Sequence, residues 1–190
     1  MKIGILKIGQ IDSDVLDRVL ENLRTIFEDA EFTVLPDEMP IPKDAYDEER
    51  KQYRSDIILK SIREQVDKEK SLDRILGIVD ADISIPQMNF VFGQAERPGK
   101  AGLISLYRLR PEFSRQKANT ELFLERASKE AVHELGHTLG LGHCSNPFCV
   151  MYFSNSIFDT DRKQGLFCSK CYVKIEAASR PEKEELQPDE

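Results

Sequence analysis

Residues 133–143 read HELGHTLGLGH and contain all three histidines of this 190-residue chain, His133, His137 and His143. On a helix, residues four apart lie on one face a single turn apart, so the first two imidazoles can reach the same metal ion. Gly140 lets the backbone leave the helix sharply, and His143 then returns to the same centre. Three histidine ligands leave one coordination position open, which is typical of a catalytic zinc site.

Two further residues fit this interpretation. Glu134 lies on the flank of the ligand-bearing face, where a carboxylate can take a proton from water at the metal. The alternative, a chance HExxH match in a helix rich in Glu and Leu, is disfavoured because every histidine of the chain occupies a position of the extended pattern. Met151, eight residues after His143, can be a core residue. HExxHxxGxxH followed by a methionine also resembles the pattern of metzincins, and this resemblance implies a methionine turn that forms a hydrophobic floor beneath the zinc.

All four cysteines lie in the last quarter of the chain, as a Cx4C pair, Cys144 and Cys149, and a CxxC pair, Cys168 and Cys171. Four thiolates in two loops match a closed structural zinc site that would hold the C-terminal segment together. Two disulfides or buried free thiols are the alternatives, and a reducing cytosol disfavours the disulfides. The sequence therefore predicts two zinc ions per chain, one catalytic and one structural.

The motifs between His133 and Cys171 resemble those of the archaemetzincins, a family of the metzincin clan of zinc peptidases. In that family HExxHxxGxxH is followed at once by a cysteine, then by a second cysteine, a methionine and a distal CxxC. The resemblance implies a metzincin fold, a catalytic zinc, a structural four-cysteine zinc and peptide hydrolysis. Astacin-like metzincins have a tyrosine two residues after the turn methionine, where this chain has Phe153, so neither Phe153 nor Tyr152 is assigned to the oxyanion.

The chain upstream alternates strand and helix patterns. Apolar periodicity predicts strands at 2–8, 31–36 and 74–80 and helices after Asp12 and over 55–68, which is typical of a parallel α/β unit with right-handed crossovers. Two short strands at 89–95 and 102–106 are joined by a turn at Pro98 and Gly99, so one of them must run antiparallel. A helix over 120–139 carries the first two histidines, and no long element is expected after Gly142.

We expect an α/β, α+β-like fold with a mixed twisted sheet, one antiparallel edge strand, an active-site helix and a small zinc-stapled C-terminal lobe. An upper subdomain would span 1–142 and a lower one 143–178, followed by a flexible, charged tail at 179–190. By metzincin topology the edge strand is 89–95, and an extended peptide would pair with it at Val91 and Phe92.

Composition limits the partners. The formal net charge is −7 and the sequence pI about 5.2, so the chain has no general basic field for nucleic acid or an anionic membrane. Neither a secretory signal nor a membrane span is evident. We expect a cytoplasmic monomer that acts on peptide or protein substrates. A zinc-stabilised peptide-binding module with little turnover is the main alternative, and a nucleic-acid-binding zinc protein ranks last because no basic cluster surrounds the cysteines.

Overall fold

The structure is a computed structural model, and it describes residues 1–179. Its strands are β1 (Lys2–Ile8), β2 (Glu31–Val34), β3 (Tyr46–Asp47), β4 (Gln52–Arg54), β5 (Arg74–Val79), β6 (Ile83–Ser84), β7 (Gly93–Ala95) and β8 (Ala101–Ser105). The main sheet has the order β2-β1-β5-β8-β7, and a small second sheet has the order β3-β4-β6. Within the main sheet only β7 pairs antiparallel, which confirms the predicted mixed sheet with an antiparallel edge.

Five α-helices complete the described chain: α1 (Ser13–Ile26), α2 (Ser55–Lys68), α3 (Thr120–Thr138), α4 (Ile157–Arg162) and α5 (Ser169–Ser179). Alternate residues of the central strands face opposite layers, as the period of two requires. Leu76 and Ile78 pack in a core with α1 and α3, whereas Ile75 and Val79 pack in a second core with α2. The sheet therefore has helices on both faces, and α3 lies across one of them.

The C-terminal segment is attached to α3 by buried charged groups. The guanidinium of Arg126, 0% exposed, makes an ion pair with Asp161 at 2.6 Å and donates to the Leu109 carbonyl over 3.0 Å. A second ion pair joins Lys163 and Glu130 at 3.0 Å. Breaking a buried pair of this kind leaves an uncompensated charge, so these contacts hold the segment against the active-site helix.

The expectation that no long element follows Gly142 was wrong, because α5 has 11 residues. Its first turn is the CxxC motif itself, with the Cys171 and Tyr172 amides donating to the Cys168 carbonyl, each over 2.9 Å. The CxxC spacing was interpreted only as a metal-ligand motif, although it also forms the first turn of a helix. The edge strand is also shorter than the predicted 89–95, since residues 89–92 lie outside β7, which begins at Gly93.

The predicted tail at 179–190 lies outside the described residues, except for Ser179, which ends α5. Among residues 1–179, no helix combines the length and the apolar composition that crossing a membrane requires.

Candidate active site and metal centres

Helix α3 begins and ends at positions that the sequence specifies locally. The Asn119 side chain caps its start by accepting from the Leu122 amide over 3.0 Å. At its end Gly140 adopts a φ of +93°, and the Leu141 amide donates back to the Gly136 carbonyl over 3.1 Å. This Schellman ending satisfies helix carbonyls while turning the chain sharply, and the following residues carry the third histidine back toward the helix.

The three histidines converge. One ligand atom from each of His133, His137 and His143 lies within 4.8 Å of the others. The Nε2 atoms of His133 and His137 are 3.1 Å apart, close to the roughly 3.3 Å expected for two nitrogens bound at about 2.0–2.1 Å to one tetrahedral zinc ion. The site thus has the dimensions of a single three-histidine metal centre.

Hydrogen bonds orient two of the rings for that role. His133 Nδ1 lies 2.7 Å from the Val150 carbonyl, and His137 Nδ1 lies 2.7 Å from the Leu141 carbonyl. A carbonyl only accepts, so each Nδ1 carries the proton and each Nε2 keeps its lone pair for a metal. Burial lowers the pKa of His133 and of His137, which favours the neutral imidazoles that metal binding needs.

Glu134 is buried beside these ligands. It is 3% exposed, and its Oε2 atom has no hydrogen-bond partner among the residues that the structure describes. Burial raises the pKa of Glu134 well above its usual value, and the charge of Glu130 raises it further. A buried carboxylate oxygen without a hydrogen-bond partner lowers the stability of a folded protein. Its presence therefore indicates a partner from outside the protein, such as water or a ligand.

The edge strand approaches Glu134 at a glycine. A Cβ atom built on Gly93 would lie 2.5 Å from Glu134 Oε1 and 2.7 Å from its Cγ, so β7 can pass this close only without a side chain there. Gly93 thus controls where the carboxylate can lie. Sequence reasoning did not identify it, since the contact joins residues 41 positions apart and follows only from the sheet register.

Met151 lies directly beneath the histidine-bearing turn of α3. It is 0% exposed, and a Cβ atom on Gly136 would come within 2.5 Å of its sulfur. The turn containing Met151 is held by the Cys144 amide, which donates to the Met151 carbonyl over 2.8 Å. The methionine therefore packs on α3 at Gly136, which lies between the first two histidines.

The metal centre opens into a cleft of about 680 Å³. Its walls comprise the segment before β7, β7 itself, the ligand-bearing turns of α3 and the loop after Met151. The lining residues are Ile85, Gln87, Met88, Asn89, Phe90, Val91, Phe92, Gly93, Gln94, Ala95, Arg97, Glu130, His133, Glu134, His137, His143, Phe153, Ser154 and Asn155. Phe153 packs against His143 with ring centroids 4.8 Å apart and the ring planes tilted by 57°, so it contacts this histidine through its ring rather than through a polar group.

Among residues 1–179, β7 pairs with β8 on one side and with no strand on the other. The Phe92 carbonyl accepts from β8 over 2.8 Å, and the Glu96 amide donates to β8 over 3.0 Å. Because backbone groups of successive residues alternate in direction, those of Gly93 and Ala95 face the open edge. Both residues line the cleft, so an extended chain in the cleft would meet these groups.

The predicted edge residues Val91 and Phe92 both line the cleft but precede β7. The Phe92 backbone faces β8, and the Val91 amide donates to the Ile83 carbonyl over 3.1 Å. The backbone amides of Val91 and Phe92 are therefore not directed at the open edge of β7, whereas those of Gly93 and Ala95 are.

The four cysteines form a second cluster. All are free thiols, and their sulfur atoms lie within 4.8 Å of one another. Backbone amides supply the surrounding donors: the Cys168 amide donates to Cys149 Sγ over 3.3 Å, and the Asn146 amide to Cys144 Sγ over 3.4 Å. The amide of Cys171 lowers the pKa of Cys168 to about 7. Converging sulfurs with amide donors suit a tetrahedral thiolate site for zinc.

The sequence interpretation also missed the buried ion pair of Glu130 with Lys163, of which Glu130 lines the cleft. Glu130 lies four residues before Glu134, and this helical spacing alone indicates that the two carboxylates share a face. The lysine was not predictable, because it comes from a loop more than thirty residues later in the chain.

Comparison with known proteins agrees with this geometry. The profile of peptidase family M54 matches residues 2–177. The archaemetzincin of Methanocaldococcus jannaschii is 43% identical over 176 residues, covering 93% of each chain. The crystal structure of the Methanopyrus kandleri archaemetzincin superposes with a TM-score of 0.81 at 35% identity, covering 94% of each chain. That of the Archaeoglobus fulgidus archaemetzincin gives 0.78 at 41% identity, covering 92% of this chain and 99% of that one.

A family profile that spans nearly the whole chain, together with relatives of this identity and coverage, explains why the histidine and cysteine motifs occur in this order on this fold. The chain belongs to peptidase family M54, the archaemetzincins, and is a zinc metalloprotease.

Proposed function

We propose that the protein hydrolyses peptide bonds with Glu134 as the general base. The observation that supports this most directly is the buried Oε2 atom of Glu134, which lacks a partner in the described chain and lies beside three converging imidazoles. His133, His137 and His143 would hold the catalytic zinc. Zinc bound there supplies a Lewis acid that lowers the pKa of water toward about 7 and polarises the scissile carbonyl.

The chain's own groups then perform the proton transfers. The Glu134 carboxylate accepts the proton of the attacking water, and its buried position makes it a stronger base than an exposed glutamate. The protonated carboxyl group then donates to the leaving amine, which returns Glu134 to its starting state. The carbonyls of Val150 and Leu141 keep the two helix imidazoles in one tautomer throughout.

We propose that the substrate lies extended along β7. The outward backbone groups of Gly93 and Ala95 would pair with the peptide, as in other complexes in which a strand is added to a sheet edge. Val91 and Phe92, which form part of the cleft wall, would contact the substrate. The contact between Gly93 and Glu134 supports this arrangement, because it brings the paired strand next to the catalytic base.

We further propose two zinc ions per chain, with Cys144, Cys149, Cys168 and Cys171 holding the structural one. The chain would then divide at the cleft into the subdomains 1–142 and 143–178. We propose a cytoplasmic monomer that binds neither nucleic acid nor membranes, in keeping with the net charge of −7.

Replacing Glu134 with Gln tests its role in the protease, because the change keeps the size of the side chain and removes the base. Zinc content and peptide affinity should persist while cleavage of a peptide library falls about 10² to 10⁴-fold.

In the wild type, a chelator that removes the metal should abolish cleavage. The matched control is Glu125→Gln, a carboxylate on the same helix that pairs with Lys129 outside the cleft. Equal cleavage by the wild type and the Glu134→Gln variant would overturn the proposed role of Glu134.

A further inference from the structure

Glu130 has an acceptor oxygen that the protein leaves free. Its side chain is 3% exposed, and both of its described hydrogen bonds go to Oε1, from Lys163 Nζ over 3.0 Å and from Thr160 Oγ1 over 3.2 Å. Oε2 accepts no hydrogen bond from residues 1–179. It is also not one of the fully buried atoms that lack a partner, so solvent can reach it. Glu130 lines the cleft one turn before Glu134, so this oxygen is available to a ligand beside the scissile bond.

The charge of Glu130 is already balanced. Lys163 is 0% exposed and lies on the opposite oxygen, so the ion pair is complete without a cation from the substrate. When a peptide fills the cleft and displaces water, Oε2 loses its hydrogen bond to solvent. The free-energy cost of this unsatisfied acceptor weakens peptide binding. A substrate side chain that donates a hydrogen bond removes this cost.

We propose that Glu130 is the floor of a side-chain subsite that selects a neutral hydrogen-bond donor, a carboxamide or a hydroxyl, in the bound peptide. An ammonium group at this position would approach the Lys163 ammonium, and a substrate carboxylate would face the Glu130 carboxylate. A neutral hydrogen-bond donor is repelled neither by the Lys163 ammonium nor by the Glu130 carboxylate. This subsite rests on the proposed function of the cleft as a peptide site, and it assigns Glu130 to substrate selection rather than to catalysis.

The test measures peptide affinity in the zinc-loaded Glu134→Gln protein, so that turnover does not enter. Peptides that differ at one position are compared in the pairs Gln and Met, Gln and Glu, and Gln and Lys, scanning the position along the peptide. At one position Gln should bind about tenfold tighter than Met, the value of one hydrogen bond to a charged group. Glu and Lys should both bind more weakly than Gln there.

Two second-site variants identify the residue responsible. Glu130→Gln presents an amide to the cleft and should shrink the discrimination between Gln and Glu peptides. The pair Glu130→Met with Lys163→Met removes the whole ion pair, a replacement that proteins often tolerate, and should abolish the preference for Gln over Met. Glu125→Gln, whose partner Lys129 lies outside the cleft lining, is the control and should change neither preference.

Thermal melting and zinc content show which variants are folded, and either folded variant decides. Equal affinities within every pair in the Glu134→Gln protein would overturn the subsite while leaving the proposed function in place. A preference that survives in either folded variant would also overturn it. A protein that binds no peptide at all would overturn both proposals.

Discussion

The histidine cluster and the cysteine cluster occupy neighbouring sequence, since His143 and Cys144 are adjacent, yet their surroundings differ. The histidines face a cleft of about 680 Å³, and the unpartnered oxygen of Glu134 lies beside them. The cysteines face one another, and backbone amides point at their sulfurs. Three ligands beside a cleft leave room for a substrate, whereas four converging thiols leave none.

The two clusters differ in the groups that surround their candidate ligands. The unpartnered carboxylate of Glu134 lies beside the open histidine cluster, which suits a site that acts on another molecule. Backbone amides surround the closed cysteine cluster, which suits a site that stabilises the fold. Removing one candidate ligand from each cluster should therefore have different effects.

Replacing His143 with Ala should have the largest effect. His143 is exposed and lies on a loop, so the fold should survive its loss. The catalytic zinc should be lost or weakly held, and turnover should fall by more than about 10³-fold, since the metal contributes several kcal/mol to the transition state. Elemental analysis should show one zinc per chain instead of two. Full activity with two zinc ions would contradict the assignment of His143.

Replacing Cys168 with Ser should act mainly on stability. Because zinc binding to such a site is also folding free energy, the melting temperature should fall and the C-terminal segment should become sensitive to protease, at a cost of several kcal/mol. The zinc held by the histidines should remain. Lost activity with an unchanged melting curve would contradict a structural role for the cysteine cluster.

Replacing Gly93 with Ala should disturb the base without touching a ligand. The added Cβ would lie 2.5 Å from Glu134 Oε1, so either the carboxylate or the edge strand must shift. We expect a fall in turnover of roughly 10 to 100-fold, because misplacement near the chemistry by about 1 Å has an effect of this order. Zinc content should not change. Gly165→Ala is the control, since its nearest neighbour would lie 3.9 Å away, and it should keep normal turnover.

Replacing Ala95 with Pro should have the smallest effect of the four. It removes one amide directed at the open edge and leaves the β8 ladder intact, so peptide affinity should fall about tenfold while both metal sites stay occupied. Phe92→Pro is the contrast, because its backbone faces β8 and its replacement should weaken the fold itself. Unchanged affinity in a folded Ala95→Pro protein would place the peptide elsewhere.

Local sequence patterns determined most of the metal chemistry. The spacing of His133 and His137 brings two imidazoles together on any helix, and Gly140 provides the turn that returns His143. The alternation of strand and helix patterns determined the layered fold, and the short connection at Pro98 and Gly99 required an antiparallel strand. These inferences depend on residues close together in the chain, so the sequence alone was sufficient for them.

Tertiary structure alone decided the features that join distant segments. The contact of Gly93 with Glu134 depends on the register of β7 against β8, and the ion pair of Glu130 with Lys163 depends on how the C-terminal segment docks on α3. Helix α5 was not predicted because its first turn is the CxxC motif. A separation of three residues suits both two metal ligands and one turn of a helix. The sequence thus determined which candidate ligands and which carboxylate are present. Long-range packing decided what surrounds them, because no short-range pattern encodes a contact between residues tens of positions apart.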